Sequence, residues 1–576
     1  YKYWKTKIVI SALAVLVFIS ALSGYLIGSA DYASRRTAEP PDPIEPLKPS
    51  ASRLHVFQKA AVCTDAPQCS QIGREILTKN GSAVDAAVAA MFCNGLLNQQ
   101  SMGLGGGFFM TVYLKDEEKA YTVNARETAP GAATVDMFNG SWDKAAKGPL
   151  AVGVPGELRG MWAAHQRWGK LPWDSLIAPS LDLCKTGFPI SKVMSDGLES
   201  APYIKNDPHL RKMYFNTAKG QFHKPGTIVK PSEALCNTFQ RIAENGGDDL
   251  YNGTLAADLL DDLERVGSII TAEDLRQYEA KITDPIAVPL SNGDMFYSVP
   301  PPSSGAILVN ILNILSERKA ASLPLRQSGR RINCCLYFFQ LIRNVTTPEY
   351  GTEVRLRIND TATSNDTATY GAETYNQPDA GTAHISIIAG NGDAVSVTSS
   401  VNYYYGAGFS TLKTGIIMNN VMDDFSSPGI TNFFGLKPSP ANFIAPHKRP
   451  MSSMSPSIIV DRNGNAKLVI GASGGTKITT SVALVSLALV TIRKLWFDQS
   501  IKEAVDEPRI HHQITPMHVE YEFGVTEDIV NGLRAKGHGM VRYRSRGSII
   551  CALFRNKTAI YANADFRKGG DVAGMD

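Results

Sequence analysis

The feature that most constrains this chain is a threonine set directly ahead of a hairpin. Thr382 stands in Asp379-Ala380-Gly381-Thr382-Ala383-His384 and leads into Ile385-Ser386-Ile387-Ile388. A second strand-like run, Ala394-Val395-Ser396-Val397-Thr398-Ser399-Ser400, follows Gly390-Asn391-Gly392-Asp393, a sequence of the kind that joins antiparallel strands. Taken as structure alone, this is one more β-hairpin. Taken as chemistry, cleavage of the Gly381–Thr382 bond would give Thr382 a hydroxyl nucleophile and an α-amine base on one residue, a recognised way to activate threonine. The polar stretch 359–379 reads as an exposed loop that suits a scissile bond, and equally as an ordinary linker. Register decides what faces the threonine. A two-residue turn at Asn391-Gly392 puts Val401 opposite Thr382, whereas an odd loop or a bulge brings Ser400 or Asn402 there.

A chain of 576 residues, 44% hydrophobic and 19% charged, has the makings of a large globular core. Its formal charge of +4 is small, and no Lys/Arg cluster is interleaved with aromatics, so nothing points to nucleic acid. Residues 8–27 carry no charge and are long enough to cross a bilayer as one helix. Lys2, Lys5 and Lys7 precede them, which orients the short N-terminus to the cytoplasm and the remainder outside. A cleaved signal peptide ending near Ala21-Leu22-Ser23-Gly24 is the alternative; the length of the apolar run favours an uncleaved anchor. Pro40, Pro41, Pro43, Pro46 and Pro49 predict an extended stalk. Sequons at Asn80, Asn139, Asn252, Asn344, Asn359, Asn365 and Asn556 agree with an extracellular surface. The eight cysteines are too few for a disulfide scaffold, though a local bridge or two fits, and none has zinc-site spacing.

Further along, Ser82 and Asp85 are spaced as a capping box opening a helix over 83–97. Ser101-Met102-Gly103-Leu104-Gly105-Gly106-Gly107 and a strand over 108–114 follow. Helix, glycines, strand is the wrong order for a dinucleotide fingerprint, so these glycines are expected to serve close backbone packing. A helix is expected from Pro155-Gly156 through Trp168, then helices and loops to about residue 318, a strand over 415–420 and a turn over 451–456. A strand ends at Gly471-Ala472-Ser473-Gly474-Gly475-Thr476, and a long helix is expected over 478–496. Gly-Gly at a strand-to-helix junction bares amides that suit an oxyanion, or else makes a packing turn. Strands with helices on their faces give an α/β or α+β layered domain.

Several of these segments, in this order, resemble the γ-glutamyltransferase (γ-glutamyl transpeptidase) family of N-terminal-nucleophile hydrolases. The resemblance runs from about Gln58 to Gly574. It rests on Gly103 to Phe108, Asn124-Ala125-Arg126-Glu127-Thr128-Ala129-Pro130, Pro155 to Gly160, Gly381 to Ser386, Met422-Asp423-Asp424-Phe425-Ser426-Ser427-Pro428, Ser452 to Pro456, Gly474 to Thr480 and Asp565-Phe566-Arg567-Lys568-Gly569-Gly570. It implies an α+β fold, a four-layer αββα sandwich, preceded here by one N-terminal transmembrane helix, and no metal or organic cofactor. The expected organisation is a cytoplasmic tail (1–7), a transmembrane signal anchor (8–27), an extracellular stalk (28–57), a large subunit (58–381) and a small subunit (382–576). The two subunits arise from one self-cleaving precursor and stay together.

The implied reaction is attack by Thr382 on the γ-amide of glutathione or a related compound. The γ-glutamyl ester then passes to water or to an acceptor amino acid or dipeptide. By the same resemblance, Gly474 and Gly475 supply oxyanion amides, Arg126 with Ser452 and Ser453 holds the substrate α-carboxylate, and Asp424 pairs with its ammonium. Asn402 binds the glutamyl end, and Ser400 stands near the nucleophile where relatives often have threonine. A Cys69–Cys93 disulfide is also implied, with Cys63 left over. The expected location is the plasma membrane, single-pass, with the catalytic domain outside.

Two departures stand out. Relatives usually carry Glu or Gln where this chain has Val421, which cannot accept from an ammonium; a lost partner of a charged group costs about 1.5–3 kcal/mol. Between Leu315 and Asn344, where relatives carry a long aromatic-containing helix and a Gly-Asp-Pro turn, this chain has neither, and residues 320–340 read as a mis-spliced or frame-shifted replacement. The rival to an enzyme is therefore a non-catalytic surface glycoprotein that keeps the fold. An acylase for another acyl group is a third reading, which Arg126, Ser452 and Ser453 disfavour.

Overall fold

The structure, a computed structural model, describes residues 39–316, 342–366, 369, 374–375, 381–428, 437–483, 500–543 and 547–576. Counting the strands of its two main sheets, β1 is His55–Phe57, β2 Ala60–Thr64, β3 Gly107–Leu114, β4 Lys119–Ala125 and β5 Lys281–Thr283. Then come β6 (Ile286–Pro289), β7 (Met295–Ser298), β8 (Gly381–Ile388), β9 (Ala394–Asn402) and β10 (Ser457–Val460). The last four are β11 (Ala466–Ser473), β12 (Ile549–Arg555), β13 (Ile560–Ala564) and β14 (Asp571–Met575). One sheet has the order β14-β2-β8-β9-β3-β4-β5 and the other β1-β13-β12-β11-β10-β7-β6. Every pairing in both is antiparallel.

Side-chain alternation on β8 shows how the layers are made. Ile385 and Ile387 join a cluster with the buried faces of α1 (Pro67–Thr78), α2 (Ala83–Leu97) and α3 (Glu157–Trp168). His384 and Ser386 point the other way, into the space between the sheets. There Ser386 Oγ donates to the Cys551 carbonyl (3.1 Å), Ser396 Oγ to Ile470 (2.9 Å) and Thr111 Oγ1 to Pro456 (2.8 Å). Hydroxyls of one sheet thus bond carbonyls of the other, which accounts for serine and threonine in strands that are fully buried. On the outer face of the second sheet, Ile470, Ile550 and Phe296 pack with α4 (Gly305–Ser316), α5 (Lys477–Ser481) and α6 (Ile501–Asp506). The result is helices, sheet, sheet, helices, the expected αββα order.

The expected helix over 83–97 is present as α2, with both hydrogen bonds of the Ser82/Asp85 capping box. It is buried on nearly every side, as a helix apolar all round must be. The glycine loop packs as expected. A Cβ on Gly105 would lie 2.0 Å from the Ile417 carbonyl oxygen, and one on Gly106 would lie 2.3 Å from that of Ser400. Cys69 and Cys93 are bridged, and a second disulfide joins Cys184 and Cys236.

Other expectations need correction. Residues 415–420 form no strand but a single bridge, Ser410 to Ile417, because this segment makes irregular hydrogen bonds around the site. Strands β5 to β7 lie where only helices and loops were expected; they are very short, β5 and β6 at sheet edges and β7 between β6 and β10. The proline-rich segment does not stand clear of the domain from residue 39 onward. Asp42 accepts from the Tyr521 hydroxyl at 3.0 Å and pairs with Arg542, Pro43 O accepts from Glu527 N at 2.9 Å, and β1 joins a sheet edge. The expected membrane span, the 320–340 segment and the helix beyond residue 483 fall outside the described residues. Among the described residues no helix is long and apolar enough to cross a membrane.

Gly106→Ala should cost about 1–3 kcal/mol or more, because backbone meets backbone and neither side yields as a flexible side chain would. Its denaturant midpoint should fall below wild type; an unchanged midpoint would contradict this packing account.

Candidate active site

Register comes first. Five residues, 389–393, connect β8 to β9, closed by hydrogen bonds between Ala389 and Asp393 and from Gly392 to Ala389. This odd loop sets Ile388 opposite Ala394 and so Thr382 opposite Ser400. A bulge between Gly381 and Thr382 then brings Gly381 opposite Asn402. Of the residues the sequence offered opposite Thr382, Ser400 takes the place; Asn402 falls opposite Gly381, and Val401 is passed over at the bulge. Thr382 Oγ1 lies 3.3 Å from Ser400 Oγ, and the Ser400 hydroxyl donates a short hydrogen bond to the Gly381 carbonyl. Thr382 is buried, 2% exposed. Asn402, at φ +75°, leaves β9 in the left-handed region and donates from Nδ2 to Asn420 O at 3.1 Å.

Asn420 precedes a 3-10 turn, Val421–Asp424, that carries the acidic pair. Asp424 forms a short ion pair with Arg126, just past the end of β4. Arg126 is 1% exposed and also meets Glu127 Oε2 at 3.3 Å and Met451 O at 3.4 Å. A buried guanidinium with carboxylates on two sides is held by a network that would be costly to break singly. Burial pushes the Glu127 carboxyl up to about 7 against the pull of Arg126. Burial likewise raises Asp423 to about 7, although the Tyr403 hydroxyl donates to it at 2.7 Å, and burial raises Asp424.

The segment after Met451 links this charged cluster to the glycine turn. Ser452 Oγ accepts from Met454 N at 3.2 Å, and Ser453 Oγ donates to Gly475 O at 2.7 Å. Gly474 and Gly475 have φ of +131° and +62°, conformations that favour glycine. Among the described residues neither of their amides donates to a protein acceptor. The preceding residue, Ser473, approaches Lys568 Nζ at 3.5 Å, and Lys568 donates to Thr382 O at 2.6 Å.

All nine expected site residues thus fall on one closed circuit of contacts. It runs from Thr382 through Ser400, Asn402, Asn420, Asp424, Arg126, Met451 to Ser453, Gly475 and back through Ser473 and Lys568. Asn420, Met451, Ser473 and Lys568 complete the circuit, and Glu127, Tyr403 and Asp423 border it, none with an assigned role. Glu127, Asp423 and Lys568 lie in quoted motifs, which is the signal that marked them; Tyr403 had none.

The raised Glu127 value has a definite sign. Stability from its protonated form is fully present below its ordinary value of 4.5 and is lost as pH rises through about 7. Glu127→Gln should lessen the fall in urea midpoint between pH 5 and pH 8. An undiminished fall would show that Glu127 is not the titrating group.

The family profile described as Gamma-glutamyltranspeptidase matches residues 69–334 and 337–575. Scoloptoxin SSD14 of Scolopendra dehaani is 40% identical over 549 residues, covering 91% of this chain and 94% of its own. Glutathione hydrolase 2 of Arabidopsis thaliana is 35% identical over 564 residues, covering 90% and 94%. In fold, cephalosporin acylase from Bacillus halodurans superposes with TM-score 0.74 at 21% identity, over 93% of this chain and 99% of that one. On the profile match and the extent of these alignments, the chain belongs to the γ-glutamyltranspeptidase family.

Proposed function

We propose that this chain is a self-cleaving γ-glutamyltransferase and glutathione hydrolase whose nucleophile is Thr382. The observation that carries the reading is the placement of the Thr382 hydroxyl beside Ser400, whose own hydroxyl bonds the carbonyl of the Gly381–Thr382 peptide. Attack of Thr382 Oγ on that carbonyl would shift the Gly381 acyl group from nitrogen to oxygen. Water then releases Gly381 as a carboxylate and frees the Thr382 α-amine. In turnover the amine takes the hydroxyl proton, Oγ attacks the γ-amide carbon, and the Gly474 and Gly475 amides receive the oxyanion. A single such donor is worth about 2.7–4 kcal/mol in a comparable acyl transfer. The amine product leaves with the proton, and water or an amino-acid or dipeptide amine takes the γ-glutamyl group.

Recognition of the glutamyl end follows from charge. Arg126 and Asp424 are the complement of an amino-acid zwitterion, guanidinium for carboxylate and carboxylate for ammonium. Ser452 and Ser453 border the same place, and relatives named glutathione hydrolases support glutathione as the donor. Within the Val421–Asp424 turn, side chains three apart eclipse, so position 421 shares a side with Asp424. Val421 packs there against Gly153 and offers no acceptor.

The proposed location is the plasma membrane, anchored by residues 8–27 with the domain outside. The seven sequon asparagines are all exposed, which supports a glycosylated surface.

Expressed protein should run on a denaturing gel as two chains, the smaller starting at Thr382, and Thr382→Ala should stay uncut and inactive. A single chain without turnover would instead support the non-catalytic glycoprotein. Val421→Glu should lower the donor KM by roughly one to two decades; an unchanged KM would remove Val421 as the cause of weakened binding.

A further inference from the structure

Lys568 has no part in the chemistry above, yet its ammonium touches the backbone of the nucleophile. Nζ donates to Thr382 O at 2.6 Å, approaches Ser473 Oγ at 3.5 Å and pairs with Asp65 Oδ2 at 2.8 Å. These contacts use its three protons. Both partners of the ion pair are 2% exposed at the side chain. Asp65 is fixed in turn, accepting from His384 N at 3.0 Å and from the Cys551 thiol at 3.6 Å. A buried ammonium is costly unless paired, so its position beside residue 382 is specified by the whole cluster.

Covalent geometry puts the nitrogen and carbonyl oxygen of one residue roughly 3 Å apart, which brings Lys568 Nζ within ~6 Å of the Thr382 nitrogen. Asp65 is anchored on the amide of His384, two residues farther along, so the cation is the nearer pole. A positive charge at that range disfavours a second one. We propose that Lys568, held by Asp65, is a positioning residue for the nucleophile: it fixes the Thr382 carbonyl, and its charge keeps the adjacent α-amine in the unprotonated form that takes the hydroxyl proton. The proposal rests on the cleavage before Thr382 argued above.

Other titratable groups face this end of β8. His384, on the same strand, is pushed down to about 3 by burial and by Lys568, so it stays neutral through the working range. Cys551 on β12 is held well above its ordinary value by its contact with Cys63 of β2 and by burial. Arg126, Glu127, Asp423 and Asp424 lie across the pocket, and Glu157 of α3 bonds Ser399 on β9. Burial raises Glu127 and Asp423 to about 7, so the test compares shifts between variants rather than one absolute midpoint.

The experiment measures kcat/KM against pH on a chromogenic γ-glutamyl anilide for full-length wild type, Lys568→Met, Lys568→Arg and Asp65→Asn. The mass of the smaller chain is determined for each. Turnover by a wild type that lacks a chain starting at Thr382 overturns the cleavage reading and this inference with it. With that chain present, the acid limb should rise by about one pH unit in Lys568→Met, fall in Asp65→Asn and return to the wild-type midpoint in Lys568→Arg. Lower activity with an unmoved limb in both Lys568→Met and Asp65→Asn overturns the proposal and leaves Lys568 a packing role. If Lys568→Met remains uncut, Asp65→Asn decides: a lowered limb upholds the proposal and an unmoved one rejects it.

Discussion

One irregularity in strand pairing, the bulge between Gly381 and Thr382, sets the geometry on which the site depends. A regular ladder would continue the Thr382–Ser400 pairing and set Gly381 opposite Val401, leaving Asn402 out of register. With one extra residue absorbed on β9, Ser400 meets both Thr382 Oγ1 and the Gly381 carbonyl, while Asn402 turns toward Asn420. Bulges re-aim side chains in this way, and here the re-aimed residues connect Thr382 to the turn bearing Asp424. A regular hairpin could supply one of these contacts but not all of them.

Two kinds of buried polarity surround that hairpin and behave differently. Between the sheets the polar groups are mostly neutral and mutually satisfied: His384 bonds Thr398 at 2.8 Å and Ser386 at 3.0 Å, and hydroxyls cross to the facing sheet. Such groups hold position without a net charge to desolvate. At the mouth, Arg126, Glu127, Asp423 and Asp424 crowd together under burial, which raises the carboxyls toward neutrality. Thr382 thus stands between a neutral, hydrogen-bonded interlayer and a buried charged cluster.

What could be read from the sequence was local. The capping box of α2, the hairpin, the close-packed glycines and the strand ending at the Gly474-Gly475 turn each depend on neighbours a few residues away, and each is present. Register was legible only as a choice, because it turned on whether 389–393 would close as a two-residue or a five-residue connection. Lys568 was visible only as part of a motif. Its role depends on Asp65 and Thr382, hundreds of residues distant in sequence, and on two sheets facing one another. The short strands β5 to β7 and the docking of Glu39 to Phe57 were missed for the same reason: short segments take their structure from what they pack against.

The same topology explains why a cut before Thr382 need not separate the chain. Strands β8 to β14 would belong to the smaller piece, all others to the larger. In the first sheet the pieces meet at β14·β2, β2·β8 and β9·β3, and in the second at β1·β13 and β10·β7. These five ladders of the main sheets, and the short pairing of Thr374–Tyr375 with Lys437–Pro438, would have to open for the pieces to part, along with the apolar layer between the sheets, which draws on both. Neither disulfide spans the cut, since Cys69–Cys93 and Cys184–Cys236 both lie before it. Among the described residues, association would therefore rest on strand pairing, burial and polar contacts such as the Asp65–Lys568 and Arg126–Asp424 ion pairs. β2 is the decisive element: it lies between β14 and β8 and carries Asp65 immediately beyond its end. The strand that would lock the two pieces together is thus also the one that places the Lys568 ion pair against Thr382.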